Sequence, residues 1–338
     1  MRGAVIYGPK DVRFEDRPDP AILKPTDAVV RTVAACVCGS DLWRYRGIAD
    51  VPKPTPIGHE YVGVVEAVGD EVTTVKPGDF VVGGFLTSDN TCILCRVGAH
   101  ANCLHGTGYD GCQAELIRVQ NADGTLIATP EHPDQAMVPG ILALSDVLGT
   151  GWHAAVCAGV KPGSTVVVVG DGAVGLSGVL AASQLGAERV IAMSRHTDRQ
   201  RIAVDFGATD IVAERGDDGV NRVKDLTGGV GADAVLECVG THDSVVQALR
   251  CARPGGMVGW VGVPHVTDLP QEHMFWKNVG LRGGPAPVRA YLPDLLDRVW
   301  TGRIDPGRVF DLTLPLDQVA EGYAAMDQRR AIKTLLRP

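Results

Sequence analysis

A chain of 338 residues, 45% of them hydrophobic, is long enough to bury a sizeable core and is expected to fold as two domains. A formal net charge of −8 with no basic cluster excludes the electrostatic footprint of a nucleic-acid-binding protein, and no apolar run reaches membrane-spanning length. The first residues, MRGAVIYGPKDVRFED, lack the apolar core of a signal peptide, so the nine cysteines are expected in a reducing, cytoplasmic setting rather than in a disulfide framework.

The first part of the chain reads as β. AVIYG, DAVVRTVAA, YVGVVEAVGD and the run VKPGDFVV are short, valine-rich strand candidates separated by Gly, Pro and Asp turns. No long amphipathic helix is expected before about residue 136. From Thr165 onward strand-like and helix-like units alternate: TVVVVG with AVGLSGVLAASQLGA, then RVIAMS with DRQRIAVDFGA. DIVA, DAVLECVG and GGMVGWVGV follow, and VGLRGG is a sixth strand candidate. Strands apolar throughout and joined by helices predict an α/β fold with a parallel sheet covered on both faces. The tail breaks this rhythm and predicts a strand, a helix from Leu316 to about Met326, and a last strand returning to the first domain.

Gly170-Asp171-Gly172-Ala173-Val174-Gly175 follows the strand TVVVV and opens a helix, the context in which GxGxxG is informative. The glycines allow a tight turn, close approach of a pyrophosphate, and close helix–strand packing, and the helix N-terminus favours the phosphates. Ligand preference is read at the end of the second strand, where Ser194-Arg195-His196 stands with Arg199 close behind. No carboxylate is expected in that corner until Asp198. Ser194 with Arg195 and Arg199 suits a ribose 2′-phosphate, so NADP(H) is expected over NAD(H). The competing reading makes Arg195 a solvated residue of a surface turn.

Three separated segments carry metal-type donors: CVCGSD, GHE and SDVLGTGWH supply Cys38, His59, Glu60 and Asp146, a set suited to zinc. A further segment, TSDNTCILCRVGAHANC, brings Cys92, Cys95 and Cys103 together, one cysteine fewer than a four-thiolate site needs. Cys112, Cys157, Cys238 and Cys251 are isolated and read as small core residues.

CGSD, GHEYVGVVEAVG, the cysteine segment, the GxGxxG unit and the closing PLDQVAEGYAAM with AIK, in this order, resemble the zinc-dependent alcohol dehydrogenases of the medium-chain dehydrogenase/reductase superfamily. The resemblance implies a GroES-like β-barrel catalytic domain over 1–149, rejoined by 288–338, and a Rossmann NADP(H)-binding domain over 150–287. It implies a catalytic zinc on Cys38, His59 and Asp146, with Glu60 either a fourth ligand or a group exchanging with water. Ser40 falls on the family's proton-accepting hydroxyl; its alternative is a turn-capping serine. Trp43 stands where many relatives carry a relay histidine, so the proton is expected to leave another way. In the cysteine segment the family's second zinc takes four ligands, and the register puts Asp89 in the first position before Cys92, Cys95 and Cys103.

The implied reaction is hydride transfer between NADP(H) and a small alcohol or carbonyl. Trp43, Leu86, Tyr109 and Trp152 tilt the expected substrate toward apolar or secondary alcohols. Family members form dimers and tetramers, so a homo-oligomer is expected. The rivals are a zinc-free quinone or enone reductase of the same superfamily and a non-catalytic NADP(H)-sensing protein; a retained ligand set speaks against both.

Overall fold

The computed structural model describes residues 1–109, 111–265 and 268–338. The chain divides into one unit of Met1–Asp146 with Pro287–Pro338 and a second of Val147–Ala286.

The first unit is organised by the strand Ala28–Cys36. It pairs antiparallel with Tyr61–Val68, with Leu116–Val119 and, near its end, with the C-terminal strand Thr334–Arg337. The sheet continues through Phe80–Gly83 to Leu126–Ala128 on one side and through Leu312–Pro315 on the other. Val30, Tyr61, Val65, Val81, Ile117, Val119 and Leu126 fill its interior. Each such side chain contributes about 1.5–3 kcal/mol of transfer free energy when fully buried. Helices before residue 136 are short: Asp41–Tyr45, Ile93–Arg96 and Ala122–Thr125.

The tail adds the predicted strand, helix and strand, and it closes this unit rather than the second one. Its helix begins at Val319, because Leu316–Gln318 turns as 3-10 before the α-helix Val319–Asp327. Val319, Tyr323 and Met326 pack against Ile6, Val37, Leu42 and Tyr45. The apolar spacing of the helix is therefore the reason the C-terminal strand comes back beside Cys36.

In the second unit all neighbouring strands are parallel, in the spatial order Asp210–Val212, Arg189–Met193, Thr165–Val169, Ala232–Glu237, Ala252–Trp260, Gly280–Gly283. This is the doubly wound order whose crevice lies at the carboxyl ends of the first strands. Val167, Ile191, Val235 and Val258 are fully buried, as residues of a sheet covered on both faces must be. Gly280–Gly283 supplies the expected sixth strand.

Candidate functional site

The donors in the first unit converge because the strand Ala28–Cys36 delivers Cys38 just past its end, while Gly58 turns the chain to present His59 and Glu60. Gly58 has φ +98°, and a side chain there would meet the Gln113 backbone nitrogen at 2.8 Å. Its carbonyl accepts from the Gly111 and Cys112 amides, which holds the turn. Asp146 follows Ser145, whose hydroxyl donates to the Leu142 carbonyl at 2.7 Å after the helix Val138–Ala143. One donor atom each from Cys38, His59, Glu60 and Asp146 lies within 4.8 Å of the others. Cys38 Sγ and His59 Nε2 both stand 3.5 Å from Asp146 Oδ2. Cys38, Glu60 and Asp146 are buried.

Two residues that the motif spacing does not assign complete this cluster. Asp41 Oδ1 lies 3.4 Å from His59 Nδ1, and its Oδ2 accepts from the Cys38 amide at 3.1 Å and the Tyr323 hydroxyl at 3.3 Å. It therefore orients the imidazole so that Nε2 faces the other donors, the usual arrangement behind a metal-binding histidine. Its signal is its place in CGSD, three residues after Cys38. Lys333 is 1% exposed, and its Nζ donates to Glu60 Oε1 at 2.7 Å and to the Val37 carbonyl at 3.2 Å. Its signal is a lone lysine inside the apolar run AIKTLL.

Burial, with the Glu60 and Asp146 carboxylates, pushes the Cys38 thiol up. Burial also pushes the Glu60 carboxyl up, against the pull of Lys333. Burial disfavours a charged His59, yet Asp41 and Cys38 outweigh it and hold the imidazole well above its ordinary value. The pocket thus carries more acid groups than cations, and Glu60 Oε2 is buried without a hydrogen-bond partner. A thiolate, an imidazole and carboxylates around an orphaned oxygen fit a zinc ion.

Ser40 is not a cap. Its side chain makes no capping bond to the helix Asp41–Tyr45, and its Oγ donates instead to Cys38 Sγ at 3.2 Å. Tyr109 is drawn into the barrel: its ring lies 5.8 Å from that of Tyr61, and its hydroxyl donates to the Gly84 carbonyl. His153 meets Cys157 of its own helix, Nε2 to Sγ 3.4 Å.

Asp89, Cys92, Cys95 and Cys103 form a second group with donor atoms within 4.8 Å of one another. The Sγ atoms of Cys92 and Cys95 are 3.6 Å apart and those of Cys92 and Cys103 are 3.9 Å apart. These separations bracket about 3.8 Å, the edge of a tetrahedron with metal–sulfur bonds of about 2.3 Å. Asp89 Oδ1 accepts from the Thr91 and Cys92 amides at 2.8 and 3.0 Å, and Oδ2 lies 2.5 Å from His105 Nδ1. Although desolvation works the other way, these bonds hold its carboxyl far below the usual range, the state a ligand needs. Backbone amides of Leu104, Cys95 and Leu94 bring the Cys92 thiol down to about 7.

In the second unit the loop Gly170–Gly175 has the expected shape. Gly170 has φ +117°, and a side chain on Gly175 would meet the Gly170 carbonyl oxygen at 2.0 Å. A side chain on Gly172 would meet nothing within 4 Å, leaving open space over the loop at the start of the helix Ala173–Gln184. At the end of the next strand Ser194 is buried and Arg195 exposed. The corner is not free of acid, as chain order suggests. Asp171 reaches it, with Oδ2 accepting from Ser194 Oγ at 2.8 Å and Oδ1 from Arg199 at 3.2 Å. Arg215, also unassigned from sequence, donates to the Met193 carbonyl at 3.1 Å.

Comparison with known proteins agrees with this geometry. The Alcohol dehydrogenase GroES-like domain family matches residues 24–131, and the Zinc-binding dehydrogenase family matches residues 173–300. A probable zinc-binding alcohol dehydrogenase of Mycobacterium tuberculosis is 37% identical, covering 100% of this chain and 89% of that protein. Zinc-type alcohol dehydrogenase B of Aspergillus flavus is 34% identical over 100% of this chain and 81% of its own length. Among solved structures, alcohol dehydrogenase TADH from Thermus sp. ATN1 superposes with a TM-score of 0.91 at 34% identity, covering 100% of this chain and 99% of that one. The chain belongs to the zinc-dependent alcohol dehydrogenases of the medium-chain dehydrogenase/reductase superfamily. It is thereby an oxidoreductase of a family that works on small-molecule substrates with Zn2+ and a nicotinamide cofactor. No helix among the described residues is long and apolar enough to cross a membrane.

Proposed function

We propose that this chain transfers hydride between NADP(H) and a secondary or apolar alcohol/carbonyl pair, with Cys38, His59 and Asp146 holding the catalytic zinc. The observation that carries this reading is the convergence of those donors with Glu60 inside one buried pocket. When bound there, Zn2+ supplies Lewis acidity toward the substrate oxygen. Asp41 keeps His59 Nε2 facing the pocket. Glu60, tethered to Lys333 by one oxygen and without a hydrogen-bond partner at the other, would serve either as a fourth ligand or as a group exchanging with water.

A nicotinamide bound in the second unit would supply the hydride chemistry, and Ser40 would take the proton of the substrate hydroxyl. Ser40 suits this role because its hydroxyl is turned to Cys38 rather than spent on the helix. The Trp43 indole cannot carry the proton further, so its exit from Ser40 would use another route. Gly170, Gly172, Ala173, Val174 and Gly175 cradle the pyrophosphate, and Ser194, Arg195 and Arg199 receive the ribose 2′-phosphate. Asp89, Cys92, Cys95 and Cys103 hold a second, structural zinc, and the enzyme works as a dimer or tetramer.

The test is metal analysis joined to a substrate panel. Two zinc ions per chain are expected, one lost with Cys38→Ser together with turnover, and KM for NADPH is expected below that for NADH. Turnover that survives complete zinc removal would instead favour the zinc-free reductase reading.

A further inference from the structure

The contact that chain order conceals lies at the ribose corner of the nucleotide unit. Met193 is in register with Val169 across the parallel pair, so residues just past the two strands face each other. This places Asp171, between the first two glycines of the loop, against Ser194. Ser194 is 1% exposed and donates its hydroxyl to Asp171 Oδ2 at 2.8 Å. Arg199 donates to Asp171 Oδ1 at 3.2 Å and to the Asp171 carbonyl at 3.4 Å, and both side chains are only 14% exposed. Burial pushes the Asp171 carboxyl up, but Ser194 and Arg199 outweigh it and hold it below the usual carboxylate range. Two of the three groups suited to a 2′-phosphate are therefore engaged by an anion of the chain itself. Arg195 remains exposed, and one nitrogen of Arg215 is engaged by the Met193 carbonyl.

We propose that Asp171 is a specificity-determining residue of the dinucleotide site, whose carboxylate weakens recognition of a 2′-phosphate relative to a 2′-hydroxyl. The inference deepens the nucleotide-site reading above and rests on it. Dinucleotide folds read the ribose 2′ position at this strand end, usually with a carboxylate from the strand's own continuation. Here the carboxylate comes from the glycine loop. A 2′-hydroxyl can donate to it without disturbing Ser194 or Arg199. A 2′-phosphate must instead take both groups from Asp171 while sitting beside a like charge. The proposed preference for NADP(H) is thus held in check by Asp171 rather than created by it.

Asp171→Asn keeps the shape and an acceptor for Ser194 while removing the charge and releasing Arg199. Calorimetric titration of the full chain with NADPH, NADH, 2′,5′-ADP and 5′-AMP reads the corner directly, without turnover. The variant is expected to raise the NADPH-to-NADH affinity ratio on the order of tenfold, about 1.4 kcal/mol. The gain should appear with 2′,5′-ADP, be absent with 5′-AMP, and disappear in Asp171→Asn/Arg199→Ala. Should the asparagine variant not fold, Asp171→Ser carries the same expectation. A ratio that stays put or falls, with all four ligands still binding, overturns the role of Asp171 and leaves the nucleotide site standing. Failure of the unmodified chain to bind any of them overturns both.

Discussion

The Lys333–Glu60 pair gives a prediction whose size follows from burial. Lys333 is 1% exposed and Glu60 is fully buried, with 2.7 Å between Nζ and Oε1. Lys333→Met removes the cation and leaves a carboxylate with no water to solvate it, a loss of about 3–5 kcal/mol for a broken buried pair. Glu60 can limit the loss by taking a proton, which from an ordinary pKa near 4.3 costs about 3.7 kcal/mol at pH 7. The expected destabilisation is therefore about 3–4 kcal/mol, a Tm drop of roughly 6–16 °C for a unit of about 200 residues. The sign with pH follows. In the variant the folded-state carboxyl is pushed above its unfolded value, so its neutral form is favoured by folding. Stability is then fully present below about pH 4.3 and is lost as pH rises through the folded-state value, so the deficit grows from acid toward neutral pH. The measurement is thermal and urea unfolding of chelator-treated protein between pH 5 and 8, which keeps metal binding out of the balance. Glu60→Gln/Lys333→Met removes both charges and should recover most of the loss. A single variant that loses less than about 1 kcal/mol, or a double variant no better than the single, would refute the reasoning.

Ser40→Ala should lower kcat by about a hundredfold or more with little change in KM, and flatten the pH profile of kcat, as loss of a proton-transfer group does; an unchanged kcat would return Ser40 to the turn. Asp89→Ala should lower bound zinc from two per chain toward one and open the 89–103 loop to proteolysis, because metal binding supplies much of the folding free energy of such a small lobe. Metal analysis that still finds two ions in that variant removes Asp89 from the ligand set. Gly175→Ala places a methyl 2.0 Å from the Gly170 carbonyl oxygen. The loop must shift, costing about 1–3 kcal/mol of stability and weakening dinucleotide binding, which unfolding and titration read together.

Local pattern decided a great deal here. Apolar strands alternating with helices specified the parallel sheet, since a strand covered on both faces has no polar positions to show. Donor chemistry is carried by residue type, so Cys38, His59, Glu60 and Asp146 were legible as candidate zinc donors, and the family resemblance put Asp89 in register with three cysteines. The partners of those residues were not legible, because they arrive through pairing between distant segments. Lys333 reaches Glu60 across 273 residues of chain only because Leu335 is in register with Cys36. Asp171 meets Ser194 only because Val169 lies beside Met193. Ser40 reads from sequence as either cap or relay, and the bond from its hydroxyl to the Cys38 sulfur, made only in the fold, supports the proposed relay. Residue type and spacing determine which groups can do the chemistry. Strand register, a property of the folded sheet and not of any one segment, decides which charge stands beside each of them.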